Sequence, residues 1–255
     1  MMTINKTFAR FSPALVALAL VSMLPALAAA LSMMFGGTAL ADVVLPTQAQ
    51  LSALGATQYQ IAFVTTDSTN AESGLESTYN SIAAEDAAAN ATLNSLGATW
   101  TAVTSTLSGS TYTDASTNAQ TYSGVPIFNT LGQLVLSNGA QFYTPTAIFS
   151  NPIDYTETGA QTTSFLSEVW TGGNLNVQPI FPSNEEDLAL GTSIPWFGEA
   201  QNTIAPWDAD GDENALGPLP IYALSSTISA VPEPSSLALL GIGAGALCLV
   251  YRRRR

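Results

Sequence analysis

Between Arg10 and Arg252 this 255-residue chain contains no Lys, Arg or His. All six basic residues are Lys6, Arg10 and the four terminal arginines. The stretch from Asp42 to Ala230, about 190 residues, holds eighteen carboxylates and no cysteine. A domain of that composition can form neither a side-chain salt bridge nor a disulfide. Apolar burial and neutral hydrogen bonds must hold it together, and its length suffices for one proper core. The same absences prune the chemistry. Without guanidinium or ammonium groups the stretch cannot grip phosphate, which excludes nucleic-acid binding. Without His or Lys there is no Ser-His-Asp triad, Schiff base or imidazole metal ligand. Paired carboxylates are the remaining acid–base device, as in glycosidases or aspartic proteases, and no Asp-Thr-Gly or Asp-Ser-Gly occurs. Such a domain is self-repelling, soluble and attracted only to cations.

The hydrophobic pattern predicts an α+β fold. Tyr59, Ile61 and Phe63 alternate with Gln58, Gln60 and Ala62, which reads as a strand with one face buried. Leu75, Tyr79, Ile82, Ala89, Leu93 and Leu96 then recur at helical spacing, broken at Asp86 and ending at Gly97. Thr69-x-x-Glu72 or Ser73-x-x-Glu76 offers a capping box at the start. Trp100–Val103 is expected as a strand, and 104–124, rich in Ser and Thr, as loop. Ile127-Phe128 and Leu134-Val135-Leu136 flank a hairpin turn. Short strands follow at 168–172 and 221–224. One early helix followed by several short antiparallel strands is not a doubly wound order.

The two ends read as addresses. Lys6 and Arg10 precede an apolar stretch, Ala14–Leu31, and Ala39-Leu40-Ala41 forms an A-x-A site before Asp42, so 1–41 is expected to be a signal peptide. An uncleaved anchor is the alternative. At the other end, segment 229–255 contains Val231-Pro232-Glu233-Pro234-Ser235-Ser236, an apolar run Leu237–Tyr251, and Arg252, Arg253, Arg254 and Arg255. The prolines hold the approach extended, and the arginines resist translocation. The run's fifteen residues would span only about 22 Å as a helix, short for a permanent anchor. Cys248 lies in this run and reads as a small lipid-facing hydrophobe.

Polar motif, apolar run and arginine cluster, in that order, resemble the PEP-CTERM signal of Gram-negative bacteria. The resemblance implies recognition of Pro232-Glu233-Pro234 by the membrane enzyme exosortase. It also implies export and transient anchoring in the inner membrane by a C-terminal transmembrane helix, while the A-x-A site at Ala39-Leu40-Ala41 makes signal peptidase the other expected processing partner. A second resemblance covers most of 57–226. It is carried by Tyr59-Gln60-Ile61-Ala62-Phe63-Val64-Thr65, Gly97-Ala98-Thr99-Trp100-Thr101-Ala102, Val125-Pro126-Ile127-Phe128, Val169-Trp170-Thr171-Gly172 and Pro220-Ile221-Tyr222-Ala223-Leu224-Ser225. These are similar to an uncharacterised exported bacterial domain of C-type-lectin-like layout, in which the last strand returns beside the first. The lectins' cysteines and sugar-binding tripeptides are absent, so the resemblance implies a fold and no sugar site.

Asp208, Asp210, Asp212 and Glu213 crowd one acidic stretch. The first three match the opening ligand positions of an EF-hand loop, but Gly211 falls at the fourth place and Leu219 at the twelfth. Two readings stand: a solvated turn, or a non-EF loop for Ca²⁺. Glu185-Glu186-Asp187 is a second cluster, expected to face water. Trp170, Trp196 and Trp207 are candidates for a sugar-stacking platform, but Trp100 and Trp170 lie in strand-like segments and are expected in the core, whereas Trp196 and Trp207 fall in Pro- and Gly-rich loops that leave a surface role open. The combined expectation is an exported, non-catalytic structural or adhesive protein of the cell surface or extracellular matrix, in an exopolysaccharide or biofilm setting. Two alternatives remain, a calcium-stabilised glycan-binding module and a carboxylate-dyad glycan hydrolase.

Overall fold

The computed structural model describes residues 42–144, 147–162, 168–173, 188–204, 211–212 and 217–230. The chain divides into Met1–Leu40 and Ala41–Arg255, and every described residue falls in the second unit. The expected signal helix and C-terminal transmembrane helix lie outside the described residues. Among those residues no helix is long and apolar enough to cross a membrane.

The fold is α+β. Helix α1 (Gln48–Ala53) opens it, followed by β1 (Gln58–Val64), α2 (Glu76–Ala89) and α3 (Ala91–Ser95). Then come β2 (Trp100–Ala102), β3 (Thr106–Ser108), β4 (Thr111–Thr113) and α4 (Ala115–Asn118). Strands β5 (Ile127–Asn129), β6 (Leu134–Leu136), β7 (Glu168–Trp170), β8 (Trp196–Glu199), β9 (Gly211–Asp212), β10 (Tyr222–Ser225) and β11 (Ile228–Ser229) complete it.

The main sheet runs β2-β10-β1-β5-β6, with β11 pairing the start of β1. As expected, the late strand β10 returns antiparallel beside β1, with Phe63 opposite Ala223. The expectation of antiparallel pairing alone fails, because β5 pairs with β1 in parallel. β1 is therefore central, and its predicted exposed face is buried as well: every residue from Tyr59 to Val64 is inside. Its side chains feed two cores. Tyr59, Ile61 and Phe63 pack on one face with Tyr79, Ala83 and Ala87 of α2, Leu93 of α3 and Leu51 of α1. Ala62 and Val64 join Ile127, Val135, Phe142, Phe149 and Leu224 on the other. Gln60 mimics a solvent position in the pattern, yet its amide donates to the carbonyls of Gln120 (2.9 Å) and Ser225 (2.7 Å) inside the fold.

The predicted single helix is two. The break comes at Asn90 rather than Asp86, because the Asn90 side chain accepts from the N–H groups of Thr92 and Leu93 and caps α3. Neither predicted capping box forms at the start of α2. Its N-cap is Leu75, with no side-chain bond, and the Glu76 carboxylate turns to the hydroxyls of Thr106 and Thr104. Gly97 ends α3's turn at φ 62°, as expected. The expected loop 104–124 instead contains the β3–β4 hairpin and α4, whose N-cap Asp114 accepts from the Ser116 N–H.

Both edges of the main sheet are covered. Asn80 and Asn118 exchange two amide bonds of 2.9 Å. Asn80 also accepts from Ala102 N–H, and Asn118 donates to Ala102 C=O, which closes the β2 edge. At β6, the Asn151 side chain and the Ser150 N–H donate to the Leu134 and Val135 carbonyls. The second sheet, β7-β8-β9, joins the first through Trp170. Its indole is fully buried and donates to Thr69 C=O at 2.9 Å. Gly172 follows at φ 69°, where an added Cβ would meet the Ser105 carbonyl oxygen at 2.1 Å. The Trp170-Thr171-Gly172 motif is thus a packing device.

Candidate functional site

The fold holds the chain up to the residue before the Val-Pro-Glu-Pro motif. In β11, Ile228 lies opposite Tyr59 and Ser229 opposite Gln58. Ile228 is buried, and the Ala230 N–H donates to Thr57 C=O at 2.9 Å. Beside this exit is a cleft of about 540 Å³, walled by Leu45–Gln48, the C-terminal turn of α3 and Thr227–Ala230. Thr47 sets one wall. Its hydroxyl accepts from Gln50 N–H while the Gln50 side chain accepts from Thr47 N–H, a capping box that fixes the start of α1. Tyr59 lies at the base, and burial raises its hydroxyl pKa, so it stays neutral. No lining residue is acidic. A second cleft of about 290 Å³ shares Gly97 and Ala98 with it, and it too is lined by no carboxylate.

Charge is instead buried elsewhere, without any cationic partner. Glu76 accepts from the Thr106 (3.1 Å) and Thr104 (3.3 Å) hydroxyls, and burial, with Asp114 nearby, pushes its pKa up to about 7. Asp86 accepts from the Asp67 N–H at 3.1 Å. Burial first, then the charges of Glu157 and Asp67, raises its pKa to about 6. Glu157 is buried and accepts from both the N–H and the hydroxyl of Thr66. Asp154 is raised by burial; one oxygen accepts from Gln161 at 2.7 Å and the other has no partner. Neutral donors satisfy ionised carboxylates only in part, so burial favours the protonated forms of Glu76 and Asp86.

Of the residues singled out in the sequence, Val231, Pro232, Glu233, Pro234 and Arg252–Arg255 lie outside the described residues. So do Asp208, Asp210, Glu213, Trp207 and Glu185–Asp187. Asp212 is placed by its backbone only: it belongs to β9, opposite Trp196, so a strand interrupts the acidic stretch. Among the described residues no three carboxylates converge to hold a metal ion. Trp100 and Trp170 are buried as expected, while Trp196 is half-buried in β8. The cleft was not foreseen, since its walls come from three distant stretches. The Thr47-x-x-Gln50 box was the one local signal.

Beyond Ala230 the sequence continues with the proline motif, the apolar run and the four arginines, the order of a sorting tail. Residues 230–255 match the PEP-CTERM protein-sorting motif family. The match indicates an exosortase-sorted protein, exported and transiently membrane-anchored before processing, with exosortase as its processing partner. A comparison with curated proteins finds no match.

Proposed function

We propose that the chain is a surface or extracellular-matrix protein with a non-catalytic, structural or adhesive ectodomain, 42–228, of lectin-like layout, working in an exopolysaccharide setting. Signal peptidase would remove 1–41 and exosortase would process the tail. The observation that carries the reading is the sorting motif at 230–255, which begins at Ala230, the last described residue, whose N–H donates to Thr57 C=O. Two features support a non-catalytic role. The ectodomain has no His, Lys, Arg or Cys. Among its carboxylates with raised pKa, Glu76 and Asp86 are engaged by hydroxyls and a backbone N–H and Asp154 by the Gln161 amide, and none of the three lines either cleft. A glycan hydrolase requires two acids about 5–10 Å apart in a cleft.

The test is fractionation of cells with and without exosortase, alongside a Glu233→Gln, Pro234→Ala variant. The reading expects full-length precursor to accumulate in the inner membrane in the deletion strain and in the variant. Normal release in both would refute it.

A further inference from the structure

The described fold ends at Ala230, and the apolar run begins at Leu237. The six residues between them, Val231–Ser236, reach about 20 Å when fully extended. With Leu237–Tyr251 in a bilayer, the face that carries Ala230 stands within that distance of the hydrocarbon boundary, and the headgroup layer fills part of the gap. The composition of that face fits such a neighbour. The cleft beside Ala230 is lined by uncharged groups, with Thr47, Gln48, Ser95 and Ser229 among them. Val44 (50 %), just before the wall in sequence, and Leu54 (37 %), at the end of α1, are exposed apolar side chains that do not line the cleft. The exposed acids Asp67, Glu72 and Glu85 line no part of it; the acids nearest to it in sequence are Asp42, before Leu45, and Glu233, in the tether after Ala230. An anionic leaflet repels carboxylates that come within a Debye length. A domain with eighteen carboxylates and no base approaches such a leaflet best through a surface without carboxylates. Among the described residues the cleft lining is such a surface, and the tether holds it close.

We propose that in the anchored precursor the cleft face beside Ala230 docks on the phospholipid headgroup layer and turns the acidic remainder of the domain away from the bilayer. The inference rests on the reading that the tail holds the precursor in the membrane. Docking relies on the neutral hydroxyl and amide groups of Thr47, Gln48, Ser95 and Ser229 meeting headgroups.

The experiment uses the full chain carrying Cys248→Ala, reconstituted in phosphatidylethanolamine/phosphatidylglycerol vesicles and recovered by flotation. A single fluorophore is attached at Ser95→Cys, or at Ser116→Cys on α4 as the distant reference. Quenching by headgroup-labelled lipid is expected to be at least about threefold stronger at position 95. Adding Gln48→Glu and Ser229→Glu, which leave the Thr47 cap intact, should bring it down to the reference level with flotation unchanged. Equal quenching at both positions in floated vesicles would overturn the docking alone. Failure to float would overturn the anchoring and the docking with it. Stronger quenching at 95 that requires added exosortase would overturn lipid as the occupant.

Discussion

The two ends of α2 and α3 show opposite ways of living without cations. At the exit, around Ala230 and the C-terminal turn of α3, the cleft is lined by no carboxylate. At the start of α2 and beneath its last turns, Glu76 and Asp86 are taken inside and held by hydroxyls and one backbone N–H. The first region avoids charge, whereas the second neutralises it by keeping protons. The contrast teaches that the acidic composition is not merely solvated surface: part of it is tied to folding, and none of it lines the cleft beside Ala230.

The largest expected effect comes from removing what both regions share, the central strand. Phe63 is fully buried and packs on Trp100 at 5.2 Å between centroids, so Phe63→Ala should destabilise the ectodomain by about 3–5 kcal/mol in urea unfolding. A loss below about 1 kcal/mol would remove β1 as the shared support.

The contrast sharpens with pH. Glu76 and Asp86 have folded pKa values of about 7 and about 6, above their ordinary range. The folded state therefore binds more protons than the unfolded chain. Their stabilisation is fully present below about pH 4 and is lost as pH rises through 6 and 7. Stability should be higher at pH 4 than at pH 8 by about 2–4 kcal/mol, and Asp86→Asn should flatten the slope. A curve that rises toward pH 8 would break the comparison. Gly172→Ala, which sets a Cβ against the Ser105 carbonyl at positive φ, should cost about 2–3 kcal/mol without changing the pH slope. Asn118→Ala should cost about 1–2 kcal/mol by uncovering the β2 edge. At the exit, Gln48→Glu should change stability by less than about 0.5 kcal/mol. The smallest expectation concerns metal: EDTA should leave the melting temperature unchanged. A shift of several degrees, abolished when Asp208, Asp210 and Asp212 become Asn, would make the acidic stretch a calcium site.

Strong periodicity and turn chemistry made much of the fold legible. β1, β2, the β5–β6 hairpin and the Gly97 stop follow from local pattern, while the return of a late strand beside β1 was implied by the resemblance alone. The errors have physical causes. Gln60 looked solvated because polarity in a pattern does not reveal a buried amide bonded to two carbonyls. Asp86 looked like a helix breaker because the sequence does not show the Asp67 N–H that receives it. The 104–124 stretch looked like loop because its strands are Thr- and Ser-rich and only three residues long each. Asn90 was readable in principle, since Asn before Ala-Thr-Leu is a cap signal. The sorting address was legible almost entirely, because its order of polar motif, apolar run and arginines is linear. The exit cleft was not, because only the fold brings its walls together.

The most direct test is the intact mass of the mature protein recovered from cells that contain exosortase. The account predicts a product that begins near Asp42 and has lost Leu237–Arg255. A mature protein that retains the apolar run and the four arginines would contradict it.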